Sequence, residues 1–230
     1  VDEEIEHIKA KRQPCLPVVM TQDEVKRVLN QMQGTHLLMA RLLYGSGLRL
    51  MECVRLRAKD LDFEGSKIYV RAGKGGKDRI TVFPKSIQQD LRIHLSRVKE
   101  LHNQDLSQGY GETYLPNALA KKYPNAAKEF IWQYVFTSKK LSKDPRTGIV
   151  RRHHVLESGL QKAVKRAVER AGIMKRIGCH TFRHSYATHL LENGVNIRVN
   201  QGIMGQSNVK TTEIYLKEIP LGYACYGKTP

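Results

Sequence analysis

The sequence is short of acid, of tryptophan and of cysteine, and it has no long apolar run. Each shortage excludes something. Four cysteines, Cys15, Cys53, Cys179 and Cys225, lie far apart with no Cys-x-x-Cys half-site, so structural zinc is not expected and reduced thiols are. No stretch approaches the ~20 apolar residues that a membrane span requires. No internal repeat or low-complexity tract marks a solenoid or a disordered tail. Acids number 22 against 39 lysines and arginines, leaving a net charge of +17. An excess of that size points to a polyanionic partner, and without a membrane segment nucleic acid is the favoured one. The excess is uneven. Residues 121–176 hold 15 basic side chains and four acids (Glu129, Asp144, Glu157, Glu169), so +11 of the charge falls there.

What is present reads mainly as helix. Thr21 and Glu24 form a capping box, and Val25, Val28, Leu29 and Met32 follow at helical spacing, with Gly34 as the expected stop. A second helix runs through Leu37–Leu43 and ends at Gly45-Ser46-Gly47. A third resumes just after Arg49. Lys67–Arg71 and Arg79–Phe83 predict a β-hairpin whose tip, residues 72–78, is basic and glycine-rich. Pro84 opens a long helix, a short one is expected over Asn117–Phe130, a strand over Trp132–Phe136 and a basic loop over Lys139–Arg152. Helices over His153–Gly172, Thr181–Asn193, Ile197–Met204 and Asn208–Lys217 complete the chain. The fold class expected is mainly α with a small antiparallel sheet.

The densest chemistry lies between Cys179 and Tyr215. His180 and Arg183 stand at i and i+3, on one helix face. Arg49 offers a second guanidinium at a helix start, Lys74 an ammonium on the hairpin tip, and Tyr215 a phenol. Phosphoryl transfer without metal needs a nucleophile, cations on the non-bridging oxygens, and groups that take and give protons. Guanidinium suits the second role because its planar fork grips two oxygens and keeps its charge. A phenol with a pKa of about 10 needs nearby cations to ionise. Competing readings are weaker. His180 and His184 lack the intervening Glu of a zinc-binding helix, and Arg183 between them would repel a cation. Lys74 is followed by no Ser or Thr, as a nucleotide-binding loop requires. Trp132 as an ordinary packing residue stays open.

Gly45–Glu52, Gly73-Lys74-Gly75, His180-Thr181-Phe182-Arg183-His184 and Thr211–Tyr215, in that order, resemble a tyrosine recombinase catalytic domain over nearly the whole chain from Leu16 to Leu216. The middle stretch, Ala118–Pro124, Trp132–Phe136, Asp144-Pro145-Arg146 and Arg151–His154, resembles the insertion and following segment of integron integrases. The resemblance implies that Tyr215 attacks the scissile phosphate to give a 3′-phosphotyrosyl link. Arg49 and Arg183 then hold the phosphate, Lys74 protonates the leaving oxygen, His180 assists proton transfer, and Glu52 orients the site. No metal or cofactor is implied. DNA is the implied partner, double-stranded and as folded single-stranded sites, with self-association into a tetramer, in a bacterial cytoplasm at the nucleoid. Lys77 and Arg79 on the hairpin, and Arg151 and Arg152, would contact DNA. Trp132 would stack on an extruded base, with Pro145, His153 and His154 flanking another.

The same resemblance divides the chain into a stub at residues 1–17, following an amino-terminal clamping domain, a catalytic domain at 18–218 with the insertion within 105–136, and a tail at 219–230. One departure bears on activity. Gln206 stands where the family has His or Trp, and glutamine can hydrogen-bond a phosphate oxygen but cannot carry a proton. Slowed cleavage is the expectation. A DNA-binding relic without activity and a type IB topoisomerase are the alternatives.

Overall fold

A computed structural model describes residues 17–71, 76 and 78–206. Lys74, Lys77, Tyr215 and the helix expected over Asn208–Lys217 lie outside the described residues. The helices run in order α1 (Gln22–Asn30), α2 (Gly34–Ser46), α3 (Leu50–Val54), α4 (Lys85–Ser107), α5 (Asn117–Lys122), α6 (Glu157–Arg170), α7 (Cys179–Glu192) and α8 (Ile197–Met204). The strands are β1 (Leu61–Asp62), β2 (Lys67–Val70), β3 (Arg79–Val82), β4 (Thr137–Lys143) and β5 (Val150–His154). This is the mainly helical fold with small antiparallel sheets that the sequence predicts.

The capping box forms. Thr21 Oγ1 accepts from the Glu24 N–H at 3.1 Å, and Glu24 Oε2 accepts from the Thr21 N–H at 2.8 Å, satisfying two amides that a helix start leaves open. Gly34 opens α2 rather than closing α1, which ends at Asn30. Around α2 the core is built. Met39, Ala40, Leu42 and Leu43 are all fully buried, because α1, α4, α6 and α7 pack against different sides of it. Leu91 from α4, Leu160 and Val164 from α6, and Phe182 from α7 fill the same core. Burying each such large side chain contributes ~1.5–3 kcal/mol.

β1, β2 and β3 form an antiparallel meander in which Ile68 faces Leu61 on one side and Thr81 on the other. Thr81 Oγ1 donates to the Ser46 carbonyl at 2.7 Å, tying the sheet to the end of α2. That contact brings the start of β3 beside Arg49.

Three stretches differ from expectation. The helix expected over Asn117–Phe130 is α5 followed by single 3-10 turns at Ala126–Lys128 and Phe130–Trp132. Residues 132–136 are not a strand. They bond to Leu56–Ala58, through Ala58 N–H to the Gln133 carbonyl (3.0 Å) and Val135 N–H to the Leu56 carbonyl (2.8 Å), and the Phe136 carbonyl accepts from the Val155 N–H (2.9 Å), but these isolated bonds make no ladder. The basic loop is instead the β4–β5 hairpin, which also takes His153 and His154 from the helix expected over His153–Gly172, so that α6 starts at Glu157. Asp144 makes its turn, with Oδ1 accepting from the Arg146 N–H at 2.9 Å and Gly148 at φ 71°.

Candidate functional site

Four charged side chains meet where α2, α3, β3, α7 and α8 converge. α2 ends at Gly47 in the left-handed conformation (φ 60°, ψ 27°), where an added Cβ would lie 2.8 Å from both Met204 Sδ and the Tyr186 ring. Glycine is therefore required for the turn to pass so close to α7 and α8. Two residues on, Arg49 is the N-cap of α3, and Glu52 reaches back to accept from the Arg49 N–H at 2.7 Å and from its Nη1 at 2.8 Å. Arg79, the first residue of β3, grips the same carboxylate at 2.8 and 2.7 Å. Arg183 Nη1 lies 3.9 Å from Glu52 Oε2. Burial alone would raise the Glu52 pKa. The hydrogen bonds and charge of Arg79, then the backbone and side chain of Arg49, overcome it and hold the pKa at about 2.

The same arginines secure the end of α8. Arg79 Nε donates to the Ile203 carbonyl (3.1 Å), Arg183 Nη2 to that of Met204, and Arg49 Nη2 to that of Gly205 (3.2 Å). Among the described residues these carbonyls accept from no helical N–H, and they carry the negative end of the helix dipole, so guanidinium is the fitting cap. Arg183 also donates from Nη1 to the Gly47 carbonyl. Gln206 follows directly, half-buried, with its carbonyl accepting from Gln201 Nε2 at 3.0 Å.

Arg49, Arg183 and Gln206 are thus gathered at one place. Arg183 is 4% exposed, buried beneath the site. The Arg49 side chain is 23% exposed and faces a cavity. His180 is exposed in the first turn of α7, its ring centroid 6.5 Å from that of His184. Burial, then the nearby His180 and Arg183, lower the His184 pKa to about 4 and keep that ring neutral. Arg79 lies among these side chains. Read as a DNA contact on the hairpin, it is 9% exposed and spent on Glu52 and Ile203, because a buried carboxylate needs a full complement of donors.

The cavity, of about 1020 Å³, extends from Arg49 and Glu52 to Trp132, and its wall also carries Pro145, Arg151, His153 and His154. Residues from four separate stretches of sequence therefore face one space. Arg57, which the sequence did not single out, fastens its wall. Its Nη1 donates to the Trp132 carbonyl and its Nη2 to the Tyr114 carbonyl at 2.8 Å, while its guanidinium lies 4.5 Å from the centre of the Tyr134 ring. Lys59 Nζ sits 3.1 Å from the centre of the Trp132 ring. The His153 and Tyr134 rings lie 5.4 Å apart. Burial lowers the pKa of His153, with His154 adding to it, and burial likewise lowers that of His154. Arg151 pairs with Asp144 at 3.1 Å, and its buried Nε–H has no hydrogen-bond partner among the described residues.

Arg152 is engaged within the fold. Its guanidinium is bidentate on Asp105 at the end of α4, with Nη1 on the Ser138 and Lys139 carbonyls, so it joins the β-hairpin to α4 and does not reach outward. Among the described residues no group of three His, Cys, Asp or Glu side chains could hold a metal, and no helix is long and apolar enough to cross a membrane.

Residues 18–220 match the phage integrase family. An integrase/recombinase of Escherichia coli is 48% identical over 209 residues, covering 91% of this chain and 62% of that protein. Tyrosine recombinase XerA of Thermococcus onnurineus is 32% identical, covering 94% and 64%. The chain therefore spans less than two thirds of the length of these relatives. Among solved structures, XerA recombinase superposes with a TM-score of 0.62 at 27% identity, covering 92% of this chain and 64% of that one. XerH bound to a palindromic difH substrate gives 0.60 at 21% identity, covering 89% and 50%, which speaks to the fold. With a family match across almost all of its length and a relative nearly half identical to it, the chain belongs to the phage integrase family and has the fold of a tyrosine recombinase catalytic domain.

Proposed function

We propose that the chain is the catalytic part of a site-specific DNA recombinase of integron-integrase type. Tyr215 attacks the scissile phosphate, forming a 3′-phosphotyrosyl bond and releasing a 5′-hydroxyl. The bond energy stays in the phosphotyrosine, so rejoining needs no external energy source. The observation that carries this reading is the convergence of Arg49 and Arg183 on Glu52 and on adjacent carbonyls at the end of α8. Preset guanidiniums cost no reorganisation when charge develops on the non-bridging oxygens. Arg49 faces the cavity and takes the phosphate directly, and Arg183 adds a second positive charge from below. Lys74 protonates the leaving oxygen and His180 handles the proton of the nucleophile.

The cavity supports the finer part of the reading. Trp132, Pro145 and His153 offer apolar and π surfaces beside a cationic rim, the combination that takes up unstacked bases. Folded single-stranded sites with extruded bases are therefore the proposed substrates, with a tetramer on DNA as the working assembly, at the nucleoid of a bacterial cell. Residues 18–218 form the catalytic domain and 105–136 hold the integron-type insertion.

A covalent-trapping assay with a nicked substrate tests the chemistry. A protein–DNA adduct that disappears in Tyr215→Phe supports it. Tight binding without an adduct points to the relic, and relaxation of supercoiled plasmid by lone subunits to a topoisomerase.

A further inference from the structure

Trp132 lines the cavity, and its ring already carries the ammonium of Lys59, another residue of the lining. The surroundings of Lys59 explain why that cation rests on a ring. Asp60, its neighbour in sequence, accepts from Arg71 Nε at 2.8 Å and from the Arg57 N–H at 3.1 Å. No carboxylate stands within ion-pair distance of Lys59 among the described residues. Burial, then the charge of Arg71, disfavours its protonated form, with Asp60 opposing and Arg57 adding to the repulsion. Lys59 is a cation short of an anion, and the indole face is the best partner within reach.

We propose that Lys59 is a placeholder on Trp132, which gives up the ring to an incoming base and transfers to the phosphate of the same nucleotide. This rests on the base-binding reading of the cavity. A cation over an indole and a base stacked on one are worth similar amounts, so the exchange at the ring is nearly balanced. The net gain comes from the new ammonium–phosphate pair. An abasic nucleotide or a smooth duplex offers no base to displace Lys59, and the ring stays covered. Lys59 thereby makes entry depend on base and phosphate together.

Trp132 is the sole tryptophan, so the emission reports this ring alone. The chain is titrated with a DNA hairpin carrying one unpaired base, and with the same hairpin abasic at that position, across a salt series. In the wild-type chain the base-bearing hairpin quenches the emission and the abasic one does not. Lys59→Met keeps the quench but lowers the slope of log K against log salt by about 0.7, the value for one lost contact to a single strand, so that affinity falls roughly threefold less between 50 and 200 mM salt. Lys59→Arg restores the slope, which excludes a folding defect as the cause. Equal slopes in the wild-type chain and Lys59→Met, with the base-dependent quench intact, overturn the placeholder role and leave the base-binding reading standing. Absence of a base-dependent quench in the wild-type chain overturns both.

Discussion

Arg79 meets Glu52 fork to fork, with Nη1 and Nη2 at 2.8 and 2.7 Å from the two carboxylate oxygens, and both side chains are 9% exposed. This pair is a support for the site. It fixes the carboxylate on which Arg49 leans and near which Arg183 lies, so one buried anion sets the positions of three guanidiniums.

Replacing that anion should be costly. Glu52→Gln keeps the shape but removes the charge and puts donors where an acceptor is needed, facing buried Arg79. Loss of one partner of a buried pair costs about 3–5 kcal/mol, and a lower urea midpoint measures it. An unchanged midpoint would mean that Arg79 finds other acceptors.

Acid should undo the same support. In the unfolded chain Glu52 takes up its proton near the ordinary value of 4.5, and in the folded chain only near 2. Between those values the unfolded state binds more protons, so stability falls as pH falls through the window and is fully present above it. The loss is about 3 kcal/mol. Urea midpoints of the wild-type chain and Glu52→Gln should therefore converge as the pH approaches 2, and a constant gap would contradict the shift.

The helices that face the core were legible because their apolar spacing is a direct image of burial, as in Val25 and Val28 of α1 or Leu160 and Val164 of α6. The β4–β5 hairpin was not. Its strands, Thr137–Lys143 and Val150–His154, are mostly lysine, arginine and histidine, without the alternation that marks one buried face. Only Asp144-Pro145 and Gly148 signalled its turn. The sequence also offers no way to tell an arginine that meets a ligand from one that meets a buried acid. Arg79 and Arg152 read alike in the sequence as DNA contacts, and nothing there announces their pairing with Glu52 and Asp105. Arg57 was missed for the same reason, since its partners are carbonyls that any residue could supply.

Arg57→Ala should unfasten one wall of the cavity. The Trp132 and Tyr114 carbonyls lose their donor and the Tyr134 ring loses its cation. Hydrogen bonds from a charged donor are worth about 1.5–3 kcal/mol each. Trp132, Tyr114 and Tyr134 lie outside the main hydrophobic cluster, so the cost should appear locally, as faster hydrogen exchange and proteolysis in residues 110–134. Binding of a hairpin with an unpaired base should weaken more than binding of a plain duplex. Equal losses on both would remove the special role of this wall.

Gly205 closes α8 at φ 58°, and an added Cβ would fall 2.4 Å from Arg79 Cδ. Gly194, at φ 79°, has open space around it. Alanine at either position meets left-handed strain of about 1–2 kcal/mol, but only at 205 must Arg79 also move. Gly205→Ala should therefore lower the melting temperature more than Gly194→Ala, and should slow adduct formation as well, because the Arg49 acceptor shifts with it. Equal melting temperatures would show that Arg79 yields freely.

Gln206 stands at the exit of α8, directly after the carbonyls that Arg79, Arg183 and Arg49 hold. Its amide can donate to a phosphate oxygen but carries no proton to exchange and no charge. Three guanidiniums already crowd the place, so a histidine here would sit largely neutral, with one ring N–H to donate and one nitrogen to receive a proton. General acid–base assistance from a placed group is typically worth 10²–10⁴-fold, and a partial gain within that span is enough to detect. Gln206→His should therefore cleave a suicide substrate faster than the wild-type chain at neutral pH. The advantage should shrink as acid protonates the ring. Equal rates across the pH range would mean that the amide already does what the position requires.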